Sequence, residues 1–362
     1  MLFLGCTQQP APSAEKPVKI GVLADLSGDY VHLSRGLPYG IGFAVEDLQK
    51  ETSRPIQVIM EDQKSCDTRE TVTIMNKFVN IDNVDIIIGG SCSSTTLAAA
   101  PIANKSKTIL ITPLSTASSI SDAGEYVFRT TISDFLRYKA AAQLAYDSGK
   151  RRMAIITETS NDAATEISSG VKKSFSTLGG EIVIEEQVPS KSETDFRTQL
   201  AKIKAANPDV LIFSVTSPKQ VGLIAKQAKE LGFSALFIMP QEIEDQEIIN
   251  IAGDAVEGLI YMMPGNPPES PRYQELKQRY SEKYNDNVVP IDLAESYDAT
   301  MLGVKAVLAS NGTKEDIKSK LFEVSKTYQG VSGSVQFDEK GDVNKTVLIK
   351  TIKNGQFVEY KP

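Results

Sequence analysis

The sequence is poor in the residues on which most catalytic and metal-binding chemistry depends. It has one histidine, His32, three cysteines and no tryptophan among 362 residues. One histidine and two cysteines beyond the N-terminal one are too few for a structural zinc site, and they leave little acid–base machinery for catalysis. No dinucleotide-binding GxGxxG, P-loop or nucleophile elbow is present. We therefore expect a protein that is not an enzyme and needs no metal or other cofactor.

Two further absences concern large partners. The chain has 39 Lys and Arg against 46 Asp and Glu, a formal net charge of −7, and it contains no basic cluster. Because nucleic acid binding requires a basic face, nucleic acid is not an expected partner. No run of about 20 apolar residues occurs, so no membrane-spanning helix is expected. The composition, 41% hydrophobic and 23% charged, is that of a globular protein long enough for two domains.

The most informative segments are IIIGGSCSSTT (residues 86–96) and ILITPLSTASS (residues 109–119). In each, a run of β-branched residues ends in a turn rich in hydroxyl groups, and after the first turn a helix is predicted. Such a turn exposes backbone N–H groups, and the helix N-terminus adds partial positive charge. Two turns of this kind on successive parallel strands could hold one carboxylate. The alternative is that the serines and threonines only cap helices.

Strand and helix patterns alternate along the chain and predict two wound units. Near the C-terminus, KNGQ (residues 353–356) lies between the last two strand-like runs and predicts a hairpin turn. Apolar strands separated by amphipathic helices are typical of parallel sheets covered on both faces. Ligands bind such sheets beyond the carboxyl ends of the strands. That rule selects six segments, of which three belong to each unit: residues 25–33, 91–94 and 113–116, and residues 158–163, 216–218 and 240–242.

The N-terminus has the features of an export signal. MLFLGC is a short apolar stretch ending in Gly5-Cys6, and a small, polar and Pro-rich segment follows it. That order is typical of the end of a bacterial lipoprotein signal, with Cys6 as the lipid anchor and a flexible tether after it. The apolar run is short and lacks a basic region before it. The alternative is an accidental cysteine in a disordered terminus.

Cys66 and Cys92 are the remaining cysteines. In a cytosolic protein they would be buried thiols, and in an exported protein an even pair indicates a disulfide. Cys66 follows the predicted strand IQVIMED, and Cys92 follows VDIIIGG. If those two strands are neighbours, both cysteines lie at one edge of the same sheet.

The chain resembles the leucine/isoleucine/valine-binding proteins over about residues 18–360. The segments that carry the resemblance are IGVLADLSGD, GGSCSSTT, ILITPLSTA, YVFRTT, AGDAVEGL and SGSVQFDEKGD, in this order. The resemblance implies an α/β, type I periplasmic-binding-protein fold: two doubly wound parallel-sheet lobes, joined by three crossovers, with a ligand cleft between them. The crossovers are expected near residues 128–132, 261–264 and 336–342. The spacing of Cys66 and Cys92 matches the family's disulfide.

The same resemblance implies roles for individual residues of the first lobe. The family's serine after the cysteine and the threonine of the TPxxT turn bind the ligand's α-carboxylate, which gives these roles to Ser93 and Thr116. The residue after the proline offers its carbonyl to the ammonium group, a role carried over to Leu114. Ser94 belongs to the same hydroxyl cluster. A wall position that is often tyrosine in the family aligns with Leu33.

The second lobe departs from the family pattern. Asp162 lies in the turn where a tyrosine is usual, and Thr216 stands where a second aromatic residue often lies. The family's acidic anchor for the ammonium group aligns with Gln241, and Glu242 follows it. Either Glu242 takes that role, or Gln241 faces the ligand and the anchor is lost, or Asp162 supplies a carboxylate. These four residues are therefore the candidates for ligand selectivity.

Together these features predict an extracytoplasmic, lipid-anchored solute-binding protein of an ABC importer. It would bind a small carboxylate by lobe closure, with a branched-chain or related amino acid as the leading class, and deliver it to a permease. The alternatives are a receptor for an amine-free carboxylate or amide, and a sensory ligand-binding module. The expected domains are a signal remnant and tether (1–16), lobe 1 (17–130 with 264–335) and lobe 2 (131–263 with 336–362).

Overall fold

The computed structural model describes residues 15–28, 31–160, 162–189, 192–241, 244–265, 270–286, 290 and 292–361. The chain divides into two compact units, each assembled from separate segments. The first unit runs to Ser115 and also contains Ala123–Thr130 and Pro271–Val331. The second contains Thr116–Asp122, Thr131–Ser270 and the chain from Ser332 onward. None of the described helices is long and apolar enough to cross a membrane.

Strands and helices alternate through most of the described chain. The strands are β1 (Val18–Ala24), β2 (Ile56–Asp62), β3 (Ile86–Gly89), β4 (Ile109–Thr112), β5 (Val127–Arg129), β6 (Arg152–Glu158), β7 (Glu181–Val188), β8 (Val210–Ser214), β9 (Leu236–Met239), β10 (Ile260–Pro264), β11 (Val347–Lys353) and β12 (Gln356–Glu359). The helices are α1 (Leu37–Glu51), α2 (Thr68–Lys77), α3 (Ser93–Ser106), α4 (Asp134–Asp147), α5 (Asp162–Thr177), α6 (Arg197–Ala205), α7 (Pro218–Glu230), α8 (Gln246–Ala252), α9 (Pro271–Tyr284), α10 (Leu293–Ala309) and α11 (Lys314–Thr327).

The first unit contains a five-stranded parallel sheet in the order β2-β1-β3-β4-β5. Every residue of β3 and β4 is buried, which explains their continuous apolar sequence. Ile87 faces a cluster formed with α2 and α3, whereas the side chain of its neighbour Ile86 lies against Gly303 of α10. Helices therefore pack on both faces of this sheet, as the sequence predicts.

A disulfide joins Cys66 to Cys92, with 5.9 Å between their Cα atoms. The sequence analysis considered β2 and β3 as neighbouring strands. That arrangement is wrong, because β1 lies between them. The chain after β2 turns back across the end of β1 through three consecutive residues with positive φ: Lys64 (51°), Ser65 (63°) and Cys66 (59°). A left-handed run of this kind is rare for residues other than glycine, and the pattern of apolar residues does not reveal it.

The second unit contains a seven-stranded sheet in the order β12-β11-β10-β9-β8-β6-β7. Strands β6 to β10 are parallel, and β10 pairs with β11 in the antiparallel sense. The predicted hairpin at KNGQ is confirmed, because β11 and β12 are antiparallel with Lys353 opposite Gln356. Asn354 (φ 52°) and Gly355 (φ 66°) both adopt the positive φ that a type I′ turn requires. The second sheet is therefore mixed, although the sequence analysis expected parallel lobes.

The unit boundaries differ in detail from the expected domains. The second unit includes residues 116–122, which the expected boundaries place in lobe 1. The later changes of unit fall after Ser270 and after Val331, compared with expected boundaries at 263/264 and 335/336. The change after Thr130 coincides with the expected boundary between 130 and 131.

A buried carboxyl group lies at the start of α10. Asp292 is 2% exposed, and its Oδ1 accepts a hydrogen bond from the backbone N–H of Gly36 (2.9 Å). Its Oδ2 has no hydrogen-bond partner among the described residues. The pKa of Asp292 is raised to about 7, chiefly by burial and to a smaller extent by repulsion from the nearby Glu295 carboxyl. The folded protein therefore holds a proton that the unfolded chain releases near pH 4.

We predict that Asp292→Asn removes a pH dependence of stability. The stabilisation from the bound proton is complete below about pH 4 and is lost as the pH rises through 7, because the pKa is raised on folding. A rise of about three pKa units corresponds to about 4 kcal/mol. Chemical unfolding at pH 4.5 and pH 8 should show that Asp292→Asn changes little at the lower pH and stabilises at the higher pH.

Asp254→Asn serves as the control for this experiment. Asp254 is exposed, and its ion pair with Lys229 lowers its pKa, so its replacement should not stabilise the protein at pH 8. If Asp292→Asn unfolds with the same pH profile as the unmodified protein, the titration does not belong to Asp292.

Candidate functional site

The turn after β3 depends on two consecutive glycines with positive φ. Gly89 has φ 127° and Gly90 has φ 89°. A Cβ atom on Gly89 would lie 2.1 Å from the carbonyl oxygen of Leu23, and one on Gly90 would lie 2.0 Å from Thr96 Oγ1. Both distances are far below van der Waals contact. Only glycine therefore fits at these two positions, and the chain can turn directly from β3 into α3.

The Gly90 carbonyl oxygen joins this turn to the one after β4. It accepts hydrogen bonds from Thr112 Oγ1 (3.1 Å) and Ser115 Oγ (3.0 Å). Ser115 Oγ also lies 2.7 Å from Thr96 Oγ1. All three hydroxyl groups are buried. They are therefore structural, and they hold the ends of two neighbouring strands in fixed positions.

Ser93 and Ser94 are the first two residues of α3, and neither is its N-cap, which is Cys92. The capping hydroxyl is instead that of Thr95, which donates to the Cys92 carbonyl (2.8 Å) and accepts from the Cys92 N–H (3.3 Å). Ser93 is half-buried and Ser94 is exposed. Both therefore lie at the positive end of a 14-residue helix, where backbone N–H groups and hydroxyls suit an anion.

Leu114 belongs to the adjoining turn of the first unit. It is half-buried, and its backbone N–H donates to Thr112 Oγ1 (3.3 Å). The bonds to the Gly90 carbonyl therefore place Leu114 beside the turn that carries Ser93. Thr116 follows two residues later and belongs to the second unit, where its carbonyl accepts from the Asp134 N–H (2.8 Å).

A buried aspartate connects the turns after β1, β2 and β3. Asp25 is 1% exposed and accepts from the Cys66 N–H (2.9 Å), while its own N–H bonds Ser91 Oγ (3.1 Å) and Ser34 Oγ (3.2 Å). Burial raises the pKa of Asp25. Asp25, Cys66 and Cys92 have their ligand-type atoms within 4.8 Å of one another. Because both cysteines form the disulfide, they provide no thiolate for a metal.

A buried carboxyl group lies at the carboxyl end of β6 in the second unit. Glu158 is fully buried. Its Oε2 accepts from the Thr216 hydroxyl (3.0 Å) and from the Thr216 N–H (3.3 Å), and its Oε1 accepts from Ser160 Oγ (2.8 Å). Ser160 is exposed and Thr216 is half-buried. The turns after β6 and β8 are therefore connected through one carboxylate.

Gln241 extends this arrangement to the turn after β9. Its side-chain Nε2 donates to the carbonyl oxygen of Val215 (2.9 Å), the residue before Thr216. Gln241 is half-buried. Three turns on neighbouring strands β6, β8 and β9 thus meet at the same edge of the second sheet. The structure brings Thr216 and Gln241 close together, as the sheet-edge rule predicts.

Cys6 and Glu242 lie outside the described residues, as do the side chains of Leu33 and Asp162. The backbone of Leu33 lies in a 3-10 turn, Val31–Ser34, after β1, and that of Asp162 begins α5.

A family model described as "Periplasmic binding protein" matches residues 17–356. The match covers nearly the whole chain and both units. The chain belongs to this family.

Named relatives of this binding protein agree with the match. A leucine-, isoleucine-, valine-, threonine- and alanine-binding protein of Pseudomonas aeruginosa is 26% identical over 353 residues, which cover 96% of this chain and 90% of the relative. The Leu/Ile/Val-binding protein of Escherichia coli K12 is 27% identical over 334 residues, covering 90% and 88%. A solved structure of a leucine-binding protein from Thermotoga maritima has 28% identity and a TM-score of 0.75, covering 95% of this chain and 98% of that one.

The sequence analysis of this binding protein missed Glu158 as a site residue. Position 158 belongs to one of the selected sheet-edge segments, but the carboxylates considered for the second lobe were those of Glu242 and Asp162. The available signal was an acidic residue ending the apolar strand RMAIITE, where the pattern of burial requires a polar partner. The family resemblance singled out Ser93 and Thr116, whereas the residue pattern itself does not distinguish one turn hydroxyl from another. Only the structure separates Thr96, Thr112 and Ser115, which are buried, from Ser93 and Ser94.

We predict that Gly90→Ala destabilises the protein far more than an ordinary glycine replacement. The new methyl group would meet Thr96 Oγ1 at 2.0 Å in a left-handed backbone, at a combined cost of roughly 2 to 5 kcal/mol. Gly149→Ala is the matched control, because Gly149 has φ 77° with no other atom within 4 Å of the added group. It should cost about 1 kcal/mol in urea unfolding. Equal losses in the two variants would contradict the role of Gly90.

Proposed function

We propose that this chain is the extracytoplasmic receptor of an ABC importer and binds a branched-chain or closely related amino acid. The family assignment and the printed names of the relatives support this proposal, since those relatives are binding proteins for leucine, isoleucine and valine. A receptor of this kind binds and delivers its ligand to a permease without changing it chemically. The lack of histidine-based acid–base machinery agrees with that role.

The first-unit turn after β3 is the observation that carries the proposal. It presents Ser93 and Ser94 at the positive end of α3, held in place by the bonds to the Gly90 carbonyl. An α-carboxylate needs several hydrogen-bond donors, and hydroxyls with N–H groups at a helix start supply them. In the proposal Ser93 and Thr116 bind the carboxylate, and the Leu114 carbonyl accepts from the ammonium group. Leu33 lines the wall of the site.

The second unit is proposed to determine which side chain is accepted. Thr216 and Gln241 meet at one sheet edge through Glu158 and Val215. Thr216 stands where the family often has an aromatic residue, and its smaller side chain leaves more room at that position. In this proposal Asp162 and Glu242 also belong to the residues that determine ligand selectivity. A carboxylate from either residue that binds the ligand's ammonium group would distinguish this receptor from a receptor for an amine-free carboxylate.

The N-terminal Cys6 is proposed to carry a lipid that anchors the receptor to the membrane, with residues 7–16 as the tether. The order of apolar stretch, Gly5, Cys6 and Pro-rich segment supports this proposal. In the source organism the protein should incorporate labelled fatty acid and partition into the detergent phase. Cys6→Ser should abolish both, whereas the neighbouring Thr7→Ala should not. A Cys6→Ser protein that still incorporates the label would contradict the anchor.

A panel of free amino acids tests the ligand class. We predict that L-leucine, L-isoleucine or L-valine raises the melting temperature, because a ligand that binds only the folded state stabilises it by about 2.7 kcal/mol at a hundredfold excess over Kd. Thermal denaturation after removal of co-purified ligand gives the measurement. If no amino acid stabilises the protein and amine-free carboxylates do, the assignment to amino acids is wrong.

The double variant Ser93→Ala, Thr116→Ala extends the same experiment to the site. Because charge-assisted hydrogen bonds contribute roughly 1.5 to 3 kcal/mol each, the double variant should lose at least a hundredfold in affinity. Thr95→Ala is a useful comparison, since this hydroxyl caps the same helix without a proposed ligand contact. It should lower stability and preserve most of the affinity. Unchanged affinity in the double variant would refute the proposed carboxylate site.

A further inference from the structure

The chain contains two Asn-Gly dipeptides, Asn311-Gly312 and Asn354-Gly355. An asparagine followed by glycine can lose its side-chain amide, because the backbone nitrogen of the glycine lies close to the side-chain carbonyl carbon (Cγ) and no Cβ atom obstructs it. Both asparagines are exposed, so water reaches both turns. The two turns belong to different units, and the hydrogen bonds around the reacting atoms differ between them.

The reaction converts the amide into a carboxylate in two balanced steps. In the first step the glycine nitrogen loses its proton and forms a bond to Cγ, while Nδ2 takes up a proton and leaves as ammonia. The product is a cyclic succinimide. In the second step water opens the ring at one of its two carbonyl groups, which gives either aspartate or isoaspartate. Water is the only other reactant, and nothing is oxidised or reduced.

At Asn311 the side-chain carbonyl group is polarised by two donors. Its Oδ1 accepts from the Thr313 N–H (2.9 Å) and from Thr313 Oγ1 (2.9 Å). Such donors stabilise the negative charge that develops on Oδ1 during the attack, as in an oxyanion hole. The attacking nitrogen of Gly312 donates to a neutral acceptor, Ser310 Oγ, at 3.2 Å. A Cβ atom on Gly312 would have no atom within 4 Å apart from its chain neighbours, so the turn is open to water.

At Asn354 a carboxylate holds the backbone instead. Glu257 precedes β10, and its Oε1 accepts from the Gly355 N–H (2.8 Å), while its Oε2 accepts from the Asn354 N–H (2.9 Å). Glu257 is exposed, and hydrogen bonds to an ionised acceptor are stronger than bonds to a neutral one. Loss of the Gly355 proton would break such a bond and place a second negative charge beside Glu257, which Coulomb repulsion opposes. The attack is therefore harder at this turn than at Asn311.

We propose that Asn311 is a site of spontaneous deamidation and that Glu257 protects Asn354 from the same reaction. This modification is independent of the proposed function. The product at Asn311 carries a new negative charge just before the start of α11, where the helix dipole favours an anion. Deamidation of Asn354 would instead place a negative charge beside Glu257, in the turn that pairs β11 with β12.

Incubation of the intact protein at pH 8 and 37 °C compares the two sites within one molecule. Trypsin separates them into the peptides 306–314 and 354–362, and mass spectrometry gives the fraction of each peptide in which oxygen has replaced the amide nitrogen. We expect Asn311 to react at least about tenfold faster than Asn354 in the folded protein, because donors to a developing charge contribute at least that much to a rate. Urea at a concentration that unfolds the chain removes both sets of hydrogen bonds, and the two rates should then become similar.

Glu257→Gln tests the protecting role. The amide removes the negative charge beside the Gly355 nitrogen, so Asn354 should react about tenfold faster, while Asn311 in the same chain should keep its rate. Glu275→Gln is the matched control, because Glu275 is an exposed carboxylate of α9 in the first unit. It should leave both rates unchanged.

Equal rates at Asn311 and Asn354 in the folded protein would overturn the proposal, because the two sets of hydrogen bonds would then make no difference. An unchanged rate at Asn354 in a folded Glu257→Gln protein would show that Glu257 does not protect it. Should this variant prove unfolded by circular dichroism, the unmodified protein decides alone: the same ratio of rates with and without urea refutes the proposal. Amino-acid binding is measured separately, and none of these outcomes changes it.

Discussion

The hydrogen bonds to the Gly90 carbonyl oxygen are the constraint on which the first-unit site depends. Two buried hydroxyls donate to this single oxygen, that of Thr112 at the end of β4 and that of Ser115 in the turn after it. The bonds form only because Gly89 and Gly90 adopt backbone conformations closed to other residues. They set the direction in which α3 leaves the sheet, and therefore where its first two serines and its positive end lie. The buried hydroxyls of Thr112 and Ser115 thus fix the turn, whereas Ser93 is half-buried and Ser94 is exposed.

The two units have different polar arrangements at the carboxyl ends of their strands. In the first unit, hydroxyl groups and the backbone N–H groups at the start of α3 act as donors, and such groups suit an anion. In the second unit, the buried carboxyl group of Glu158 accepts hydrogen bonds from the hydroxyls of Ser160 and Thr216. In both units these bonds join turns on neighbouring strands, and each unit therefore fixes its own sheet edge.

The alternation of apolar strands and helices was enough to predict two wound units, the strands of the first sheet and the hairpin at Asn354-Gly355. The sheet-edge rule also selected the turns that carry Ser93, Leu114, Thr216 and Gln241. The positions at which the chain passes from one unit to the other were less predictable. Residues 116–122, for example, belong to the second unit because of long-range contacts, which the residue pattern does not show. Glu158 was missed as a site residue, since periodicity shows that a side chain is buried but not which groups donate to it.

The path of the chain from β2 to Cys66 has a consequence for the order of the first three strands. Cys66 reaches Cys92 by passing over the end of β1, which lies between the two strands that precede the cysteines. The left-handed turn at Lys64, Ser65 and Cys66 is anchored to Asp25 at that strand's end. The disulfide therefore links the turn after β2 to the start of α3 across the end of the strand between them. One covalent bond thus spans three strands of the sheet, although it joins only two segments of the chain.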